Sequence, residues 1–494
     1  MICVSIGRGR HKHMMAEHKH LVEQGAQLVE LRLDYLTRDV NLKRLVNERP
    51  CPIIITVRRE QDGGRWVGNE PARQMLLRSA IADGVEYVDL EEDIANEIPR
   101  FGKTKRIVSL HNFRETPENL EEIHARLASK DADIVKLATM AHHPHDTLRM
   151  LKLIKNADIP TIGICMGDIG TPSRILAGKY GAPFTYATFH QERALAPGQL
   201  SYGQMRDIYH YTRINADTDV YGVIADPIGH SLSPLIHNAS FSHMGMNRVY
   251  VPFRVPREDL AIFMQDCQQL GIKGLSVTIP HKEEVLRFLT KVDGAVRGIG
   301  AANTVVFNDN EVLGFNTDYR ASMDSIDKAT EVKENETPLA GKVAMVLGAG
   351  GVAKAIAFGL KRRGADVVIT SRTLERARLL AQSLDCRAVD WSIRTQIKPE
   401  ILVNGTPVGM HPNVDESPFD RRYLRPKMVV FDTVYNPEQT LLIKEARQQN
   451  CTVITGVDMF VGQAALQFKL FTESEAPSEL MRNEVKRAIG PAKF

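Results

Sequence analysis

One lysine in the first half of the chain stands where lysine is costly. Lys136 interrupts an apolar run, with Ile134-Val135 before it and Leu137-Ala138 after it, and a lysine in such a setting is rarely left without a partner or a task. Apolar surroundings would lower the pKa of its amine. That matters because at the ordinary value of about 10.4 only roughly one molecule in 2,500 is neutral at pH 7. A neutral amine attacks a carbonyl to form a Schiff base. The adduct is productive only when a proton then moves, and His111, directly after the run RIVSL, is a general acid/base whose pKa lies near working pH. Arg58 and Arg174 offer cationic docking points for an anionic, polyhydroxylated substrate, and Glu30 and Arg32 occupy a further apolar run.

The second half carries a different chemistry. Strand-like residues 342–347 lead into Gly348-Ala349-Gly350-Gly351-Val352-Ala353 and then a helix-like AKAIAFGL. This is G-x-G-x-x-A between a strand and a helix, in which backbone N–H groups at a helix N-terminus approach a pyrophosphate. The next strand, DVVIT, ends in Ser371-Arg372-Thr373 with Arg376 one turn later, and no Asp or Glu is there to take a free ribose hydroxyl. That favours NADP over NAD. Lys282, after LSVTIPH, and Asp318, in GFNTD, form either a structural salt bridge or a proton relay beside a hydride donor. Ser231, Ser233, Thr278, Asn303 and Gln463 are neutral hydrogen-bond partners for a carboxylate and hydroxyls.

The elements that must position these residues can be counted. Eight runs rich in apolar residues (2–6, 28–33, 52–57, 85–90, 106–110, 133–137, 161–165 and 184–188) recur at intervals of about 20 to 33 residues, separated by helix-like segments. Such alternation predicts a (β/α)8 barrel with its chemistry at the strand C-termini, an open doubly wound sheet being the alternative. Residues 208–218 break the pattern and mark a junction. The fold class is α/β throughout: a barrel, then a two-lobed module with a Rossmann-type lobe.

Composition narrows the class of protein. The 494 residues include 43% hydrophobic and 25% charged, with a net charge of +3, too small to imply a nucleic-acid or membrane partner. Six cysteines without C-x-x-C spacing fit a reducing compartment, and no run reaches the roughly 18 apolar residues of a membrane span. A cytoplasmic enzyme acting on small molecules is expected, and a homo-oligomer is compatible with it. The histidine-rich stretches HKHMMAEHKH and HHPH lack the cysteine or carboxylate spacing of a metal site and are expected to be solvated, with no metal and no prosthetic group.

In order, ELRLDYL, TVRREQDGG, SLHNF, DIVKLA, MGDIGTPSR and APGQ resemble the motifs of type I 3-dehydroquinate dehydratase over residues 1–205. The resemblance implies that Lys136 forms an imine with the substrate ketone and that His111 removes the proton alpha to it. It also implies that Glu30, Arg32, Arg58 and Arg174 bind substrate and that Gln199 sits on a lid loop. Asp62 stands where the family has a glutamate that orients the histidine, and Leu195 where a serine or threonine often contacts substrate. Over 219–490, DPIGHSLSP, LSVTIPHK, GAANTVV, GFNTDYRA, NGTPVGMHP, DTVYNP and TGVDMFVGQAALQF resemble shikimate dehydrogenase. This implies Lys282 and Asp318 as catalytic pair, Ser231 and Ser233 on the carboxylate, and Thr278, Asn303 and Gln463 on ring hydroxyls. Tyr435 and Met410 would lie near substrate and nicotinamide, and Gly456 near NADP. Ala302 replaces the usual valine. The implied domains are 1–212, 219–330 completed by about 456–490, and 336–455, an order similar to the bifunctional enzymes of plants. Two rival readings are an NAD-linked enzyme of quinate or shikimate breakdown and a non-catalytic regulator that kept the folds. Arg372 argues against the first, and retention of the reactive side chains against the second.

Overall fold

The computed structural model describes residues 1–229, 231–330 and 339–490, so the expected start of the cofactor lobe near 336 lies outside the described residues. By packing, the chain divides into one unit of residues 1–234 with 245–272 and another of 235–244 with 273–494.

The first unit contains strands β1 (Ile2–Ile6), β2 (Leu28–Arg32), β3 (Ile53–Thr56), β4 (Tyr87–Glu91), β5 (Lys105–Asn112), β6 (Ile134–Met140), β7 (Thr161–Met166) and β8 (Thr185–Thr188). They hydrogen-bond in the order β7-β6-β5-β4-β3-β2-β1-β8, all parallel, with β1 joined to both β2 and β8. The eight runs therefore form one nearly closed barrel rather than an open doubly wound sheet. β5 and β6 are longer than their apolar runs, and His111 lies within β5.

Period-two alternation of side chains builds the barrel interior in layers. A buried apolar floor draws Cys3, Leu28, Ile54, Ile107 and Ile134 from five strands and Phe184 from just before β8, with Tyr87 of β4 and Ile162 of β7 packed against them. Two residues further along the same strands the interior becomes polar, with Ser5, Glu30, Thr56, Asp89, Ser109 and Lys136, all buried. The unit continues with β9 (Asp219–Ala225) and β10 (Arg248–Arg254), a parallel pair.

In the second unit β11 (Ile272–Val277), β12 (Lys291–Val292), β13 (Thr304–Asn308) and β14 (Glu311–Phe315) pair in the order β11-β13-β14-β12. A second sheet holds β15 (Val343–Leu347), β16 (Asp366–Ser371), β17 (Arg387–Asp390), β18 (Ile401–Asn404), β19 (Val429–Asp432) and β20 (Thr452–Ile454). Its order, β17-β16-β15-β18-β19-β20, all parallel, is the doubly wound dinucleotide topology with its switch point between β15 and β18. Alternate residues of β15 serve opposite faces: Ala344 and Val346 pack into one core and Met345 and Leu347 into the other.

One residue of the histidine-rich stretches needs correction, while His13, His20, His142 and His143 are exposed as expected. In helix His11–Glu23 the inward face is Met14, Glu17, His18 and Leu21, so His18 is buried rather than solvated, its Nε2 3.2 Å from Cys51 Sγ. His143 and His145 each meet an aspartate through Nδ1, Asp259 at 3.0 Å and Asp266 at 2.8 Å. Among the described residues no group of three His, Cys, Asp or Glu is placed to hold a metal.

Gly198, before Gln199 at the barrel mouth, has φ +69°, and a Cβ there would lie 2.3 Å from the Gly167 carbonyl oxygen. Only glycine fits both demands. Gly198→Ala is expected to lower the stability of the barrel by about 1–3 kcal/mol; an unchanged thermal transition would contradict this packing.

Candidate active sites

The barrel mouth holds a cavity of about 550 Å³ counted to its open rim, within the range of small-molecule sites. Lys136 and His111 both line it. So do Glu30, Arg32, Arg58 and Arg174, and the loop residues Asp62, Leu195 and Gln199.

The apolar setting expected for the Lys136 amine is not what the fold provides. Its Nζ donates to Asp89 Oδ2 at 2.9 Å, lies 3.7 Å from Glu30 Oε1, and stands 4.0 Å from the centre of the Tyr186 ring. The flanking Val135 and Leu137 belong to the opposite face of β6 by its alternation.

Asp89 and Glu91, which pair with Lys136 and Arg58, are acids that the sequence reading missed. Asp89 accepts from Ser109 Oγ at 2.6 Å and pairs with Arg58 at 2.9 Å; Glu91 pairs with Arg58 at 2.9 Å and Arg73 at 2.6 Å. Burial alone would raise the Asp89 pKa, but Arg58 and Lys136 hold it well below the carboxylate range. Burial likewise opposes ionisation of Glu30, and Lys136 and Arg32 reverse that. Glu30 also accepts from Ser5 at 2.6 Å and Thr56 at 2.8 Å. The signal was available: Tyr87, Asp89 and Glu91 alternate with Val88 and Leu90, so one face of this strand carries acids into the barrel.

His111 is different. Burial first, then the positive charges of Arg58 and Lys136, push its pKa well below the ordinary value, so the imidazole is neutral and able to accept a proton. Its Nδ1 has no hydrogen-bond partner among the described residues. Asp62 pairs with Arg59 at 2.6 Å. Arg32 is held by both oxygens of Asp34, at 2.9 and 2.8 Å.

Arg174 is 2% exposed, donates only to the Pro197 carbonyl, and has no acidic partner among the described residues. Burial lowers its pKa to about 10, which leaves it cationic at neutral pH. A buried cation with open donors facing a cavity suits an incoming carboxylate. Gln199 is buried and its Oε1 accepts from Leu195 N at 2.9 Å, bracing the loop that covers this arginine.

In the second unit Lys282 Nζ donates to Asp318 Oδ2 at 2.6 Å, both side chains largely buried. Asp318 opens helix Thr317–Ala329, which Asn316 caps by accepting from Tyr319 N. Asn303 fixes the same helix: its Oδ1 accepts from Thr317 N at 2.8 Å and its Nδ2 donates to Thr317 Oγ1 at 2.9 Å. Gln467, absent from the sequence reading, ties Ser276, Asn303 and Thr304 together. Gln463 donates to the Phe460 carbonyl, and the main-chain carbonyl of half-buried Thr278 accepts from His281 N. In the first unit Ser231 Oγ accepts from Ser233 N at 3.3 Å.

The glycine-rich turn fits a pyrophosphate. Gly348 has φ +110° and a Cβ on it would lie 2.7 Å from the Gly405 carbonyl, while a Cβ on Gly350 would meet nothing within 4 Å. Helix Gly351–Arg362 begins there with no acidic residue in its first turn, so its dipole favours an anion. Ala349 and Val352 pack against the core beneath. Ser371 ends β16, its Oγ accepting from Thr373 N, and Arg372 and Arg376 are exposed, without an ion pair among the described residues. Tyr435 stacks on Phe460 at 4.7 Å, Met410 is 47% exposed, and Gly456 lies where any side chain would strike the Val434 carbonyl.

Asp89→Asn would leave the Lys136 and Arg58 charges short of their shared carboxylate, a loss of about 3 kcal/mol or more. Because the Asp89 pKa is depressed on folding, its contribution is complete above the ordinary aspartate value and fades as pH falls below it. The denaturant transition of the barrel should therefore drop at pH 7, by less at more acid pH; equal midpoints at pH 7 would contradict the network.

Comparison with known proteins finds matches over both halves of the chain. Residues 2–216 match type I 3-dehydroquinase, 223–305 the shikimate dehydrogenase substrate binding domain, and 456–486 the shikimate 5'-dehydrogenase C-terminal domain. Residues 342–434 match the NADP oxidoreductase coenzyme F420-dependent family. The chain is 39% identical to a bifunctional 3-dehydroquinate dehydratase/shikimate dehydrogenase, chloroplastic, of Arabidopsis thaliana, over 97% of this chain and 83% of that one. Its second half is 38% identical to a shikimate dehydrogenase (NADP(+)) of Methanothermobacter thermautotrophicus, covering 56% of this chain and 99% of that protein. A solved shikimate dehydrogenase in complex with NADP+ aligns with 56% of this chain and 98% of its own, at 36% identity and a TM-score of 0.53. A barrel with a carboxylate-paired lysine, followed by a dinucleotide lobe and a Lys–Asp pair, thus belongs to the family of bifunctional 3-dehydroquinate dehydratase/shikimate dehydrogenases.

Proposed function

We propose that the barrel dehydrates 3-dehydroquinate and that the second half reduces the product, 3-dehydroshikimate, to shikimate with NADPH, in the direction of aromatic amino-acid biosynthesis. The observation that carries this reading is the shared cavity of Lys136, His111 and the uncompensated Arg174. Arg174 takes the substrate carboxylate, with Arg58, Arg32 and Glu30 on the remaining polar groups. Lys136 gives up a proton and adds to the ketone carbon, and the ketone oxygen leaves as water, giving a protonated imine. His111 removes the proton alpha to the imine carbon; the electron pair passes to nitrogen and an enamine forms. The β-hydroxyl then leaves as water with a proton returned through His111, and one water hydrolyses the imine. The balance is loss of one water.

NADPH, when bound, supplies the hydride for the second reaction. The glycine-rich turn and the N-terminus of helix Gly351–Arg362 hold its pyrophosphate, and Arg372 and Arg376 take the 2′-phosphate. Ser231 and Ser233 hold the substrate carboxylate, and Thr278, Asn303 and Gln463 its hydroxyls. Lys282 and Asp318 deliver the proton that the ketone oxygen needs as it becomes an alcohol. The domains run 1–212, 219–330 with 456–490, and 336–455. We place the enzyme in the cytoplasm; among the described residues no helix is long and apolar enough to cross a membrane.

The test is to supply 3-dehydroquinate and NADPH and follow shikimate. Lys136→Ala should abolish dehydration, by about 10³-fold or more, and leave NADPH-dependent reduction intact; Lys282→Ala should do the reverse. Preference for NAD with quinate would overturn the biosynthetic assignment. Arg372→Ser should raise the KM for NADPH about tenfold and leave that for NADH unchanged. Because the His111 pKa is lowered, the acid limb of the dehydratase kcat/KM profile should fall below pH 6.5; a limb above it would refute His111 as the base.

A further inference from the structure

Tyr186 belongs to no step above, yet it touches the reacting group. It lies on β8 opposite Cys3 of β1, points into the barrel, and is 3% exposed. The ring centre is 4.0 Å from Lys136 Nζ, and the side chain lines the cavity. The hydroxyl is buried with no hydrogen-bond partner among the described residues, so the packing of the barrel does not use it. Burial, reinforced by Glu30, Cys3 and Asp89, keeps the phenol neutral.

We propose that Tyr186 is a positioning residue of the dehydratase step, carrying the charge of the Lys136 nitrogen on the face of its ring; the inference rests on the imine role of Lys136. The nitrogen is cationic twice: as ammonium and as protonated imine. As ammonium it has three N–H donors, of which Asp89 takes one at 2.9 Å while Glu30 stands off at 3.7 Å. Once the substrate carbon is attached, only one N–H remains, and contact with both carboxylates can no longer be held through hydrogen bonds. An aromatic face needs no N–H: it attracts the charge itself, and does so most strongly in a desolvated site. The ring thus stabilises the protonated imine, the form that draws electrons from the alpha carbon, while leaving the nitrogen free to turn toward substrate. It also blocks one side of the nitrogen and so restricts the direction from which the ketone can approach.

The prediction separates ring from hydroxyl. Tyr186→Phe should keep kcat within about threefold of wild type, whereas Tyr186→Leu, which loses the aromatic face, should lower kcat about ten- to thirtyfold. KM should change little in either, and the yield of borohydride-trapped enzyme at saturating 3-dehydroquinate should fall in Tyr186→Leu. Replacing Tyr186 with phenylalanines bearing one, two and three ring fluorines weakens the face at nearly constant volume, and log kcat should decline stepwise. This series decides the matter even where Tyr186→Leu fails to fold. A flat fluorine series, or equal losses in Tyr186→Phe and Tyr186→Leu, would overturn the inference. Absence of trapped Lys136 in the wild-type chain would instead overturn the imine reading itself, and the denaturant transition of the barrel in the same samples reports whether each variant is folded.

Discussion

The barrel site depends on one buried carboxylate. Asp89 lies in the interior, and an isolated carboxylate there would cost many kcal/mol. Three donors converge on its two oxygens: Lys136, Arg58 and Ser109. They come from different parts of the barrel wall, and parallel register puts them in reach, since Ser109 of β5 is aligned with Lys136 of β6 on one side and Glu91 of β4 on the other. The carboxylate is affordable because the lysine is there, and the lysine is held in one place because the carboxylate is there. Neither survives alone. Arg58, drawn in by Asp89 and Glu91, then adds its positive charge to the burial that keeps His111 unprotonated. The proposed nucleophile, docking cation and base are thus coupled through a single acidic side chain.

The two halves use lysine in contrasting ways. In the barrel the lysine is 6% exposed and shared between two acids and an aromatic ring. In the proposed dehydration this surrounds a nitrogen that changes its covalent partners. In the second unit Lys282 has one acid among the described residues, Asp318, at 2.6 Å, and somewhat more exposure. A pair of that kind can move a proton without remaking any bond to carbon. The difference in chemistry is already present in how many groups each amine touches.

Much of this was legible in the amino-acid order. A strand covered on both sides reads as an uninterrupted apolar run, so the eight barrel strands and the dinucleotide turn could be placed within a few residues, and a lysine inside such a run could be singled out. What eluded the reading shares a physical cause. Asp89 and Glu91 lie in VEYVDLEED, where consecutive acids look like a solvated strand end, and only alternation with Val88 and Leu90 gives the inward face away. The expectation of an apolar pocket for Lys136 failed because neighbours in sequence face the opposite side of a strand, while the groups that meet the amine come from other strands. His143 and His145 looked like loop residues because their aspartates lie 116 and 121 positions away. Partners at that separation are set by topology and carry no local signature.

The second unit shows how neutral residues can place charged ones. Asn303 was singled out as a substrate ligand, yet its side-chain oxygen accepts from Thr317 N and Thr304 Oγ1, and its amide donates to Thr317 Oγ1. Most of its hydrogen-bonding capacity therefore goes to anchoring the first turn of the helix that carries Asp318, leaving one N–H for a ligand. On the other side of the pair, the Lys282 side chain rests against Gly351, where a Cβ would approach its Cδ to 3.2 Å. The first residue of the dinucleotide helix thus sets the side of the lysine, and the asparagine sets the aspartate. Because a side chain at 351 would crowd Lys282, the proposed proton relay and the proposed pyrophosphate cradle are not positioned independently, which ties the geometry of proton delivery to the element that would hold the hydride donor.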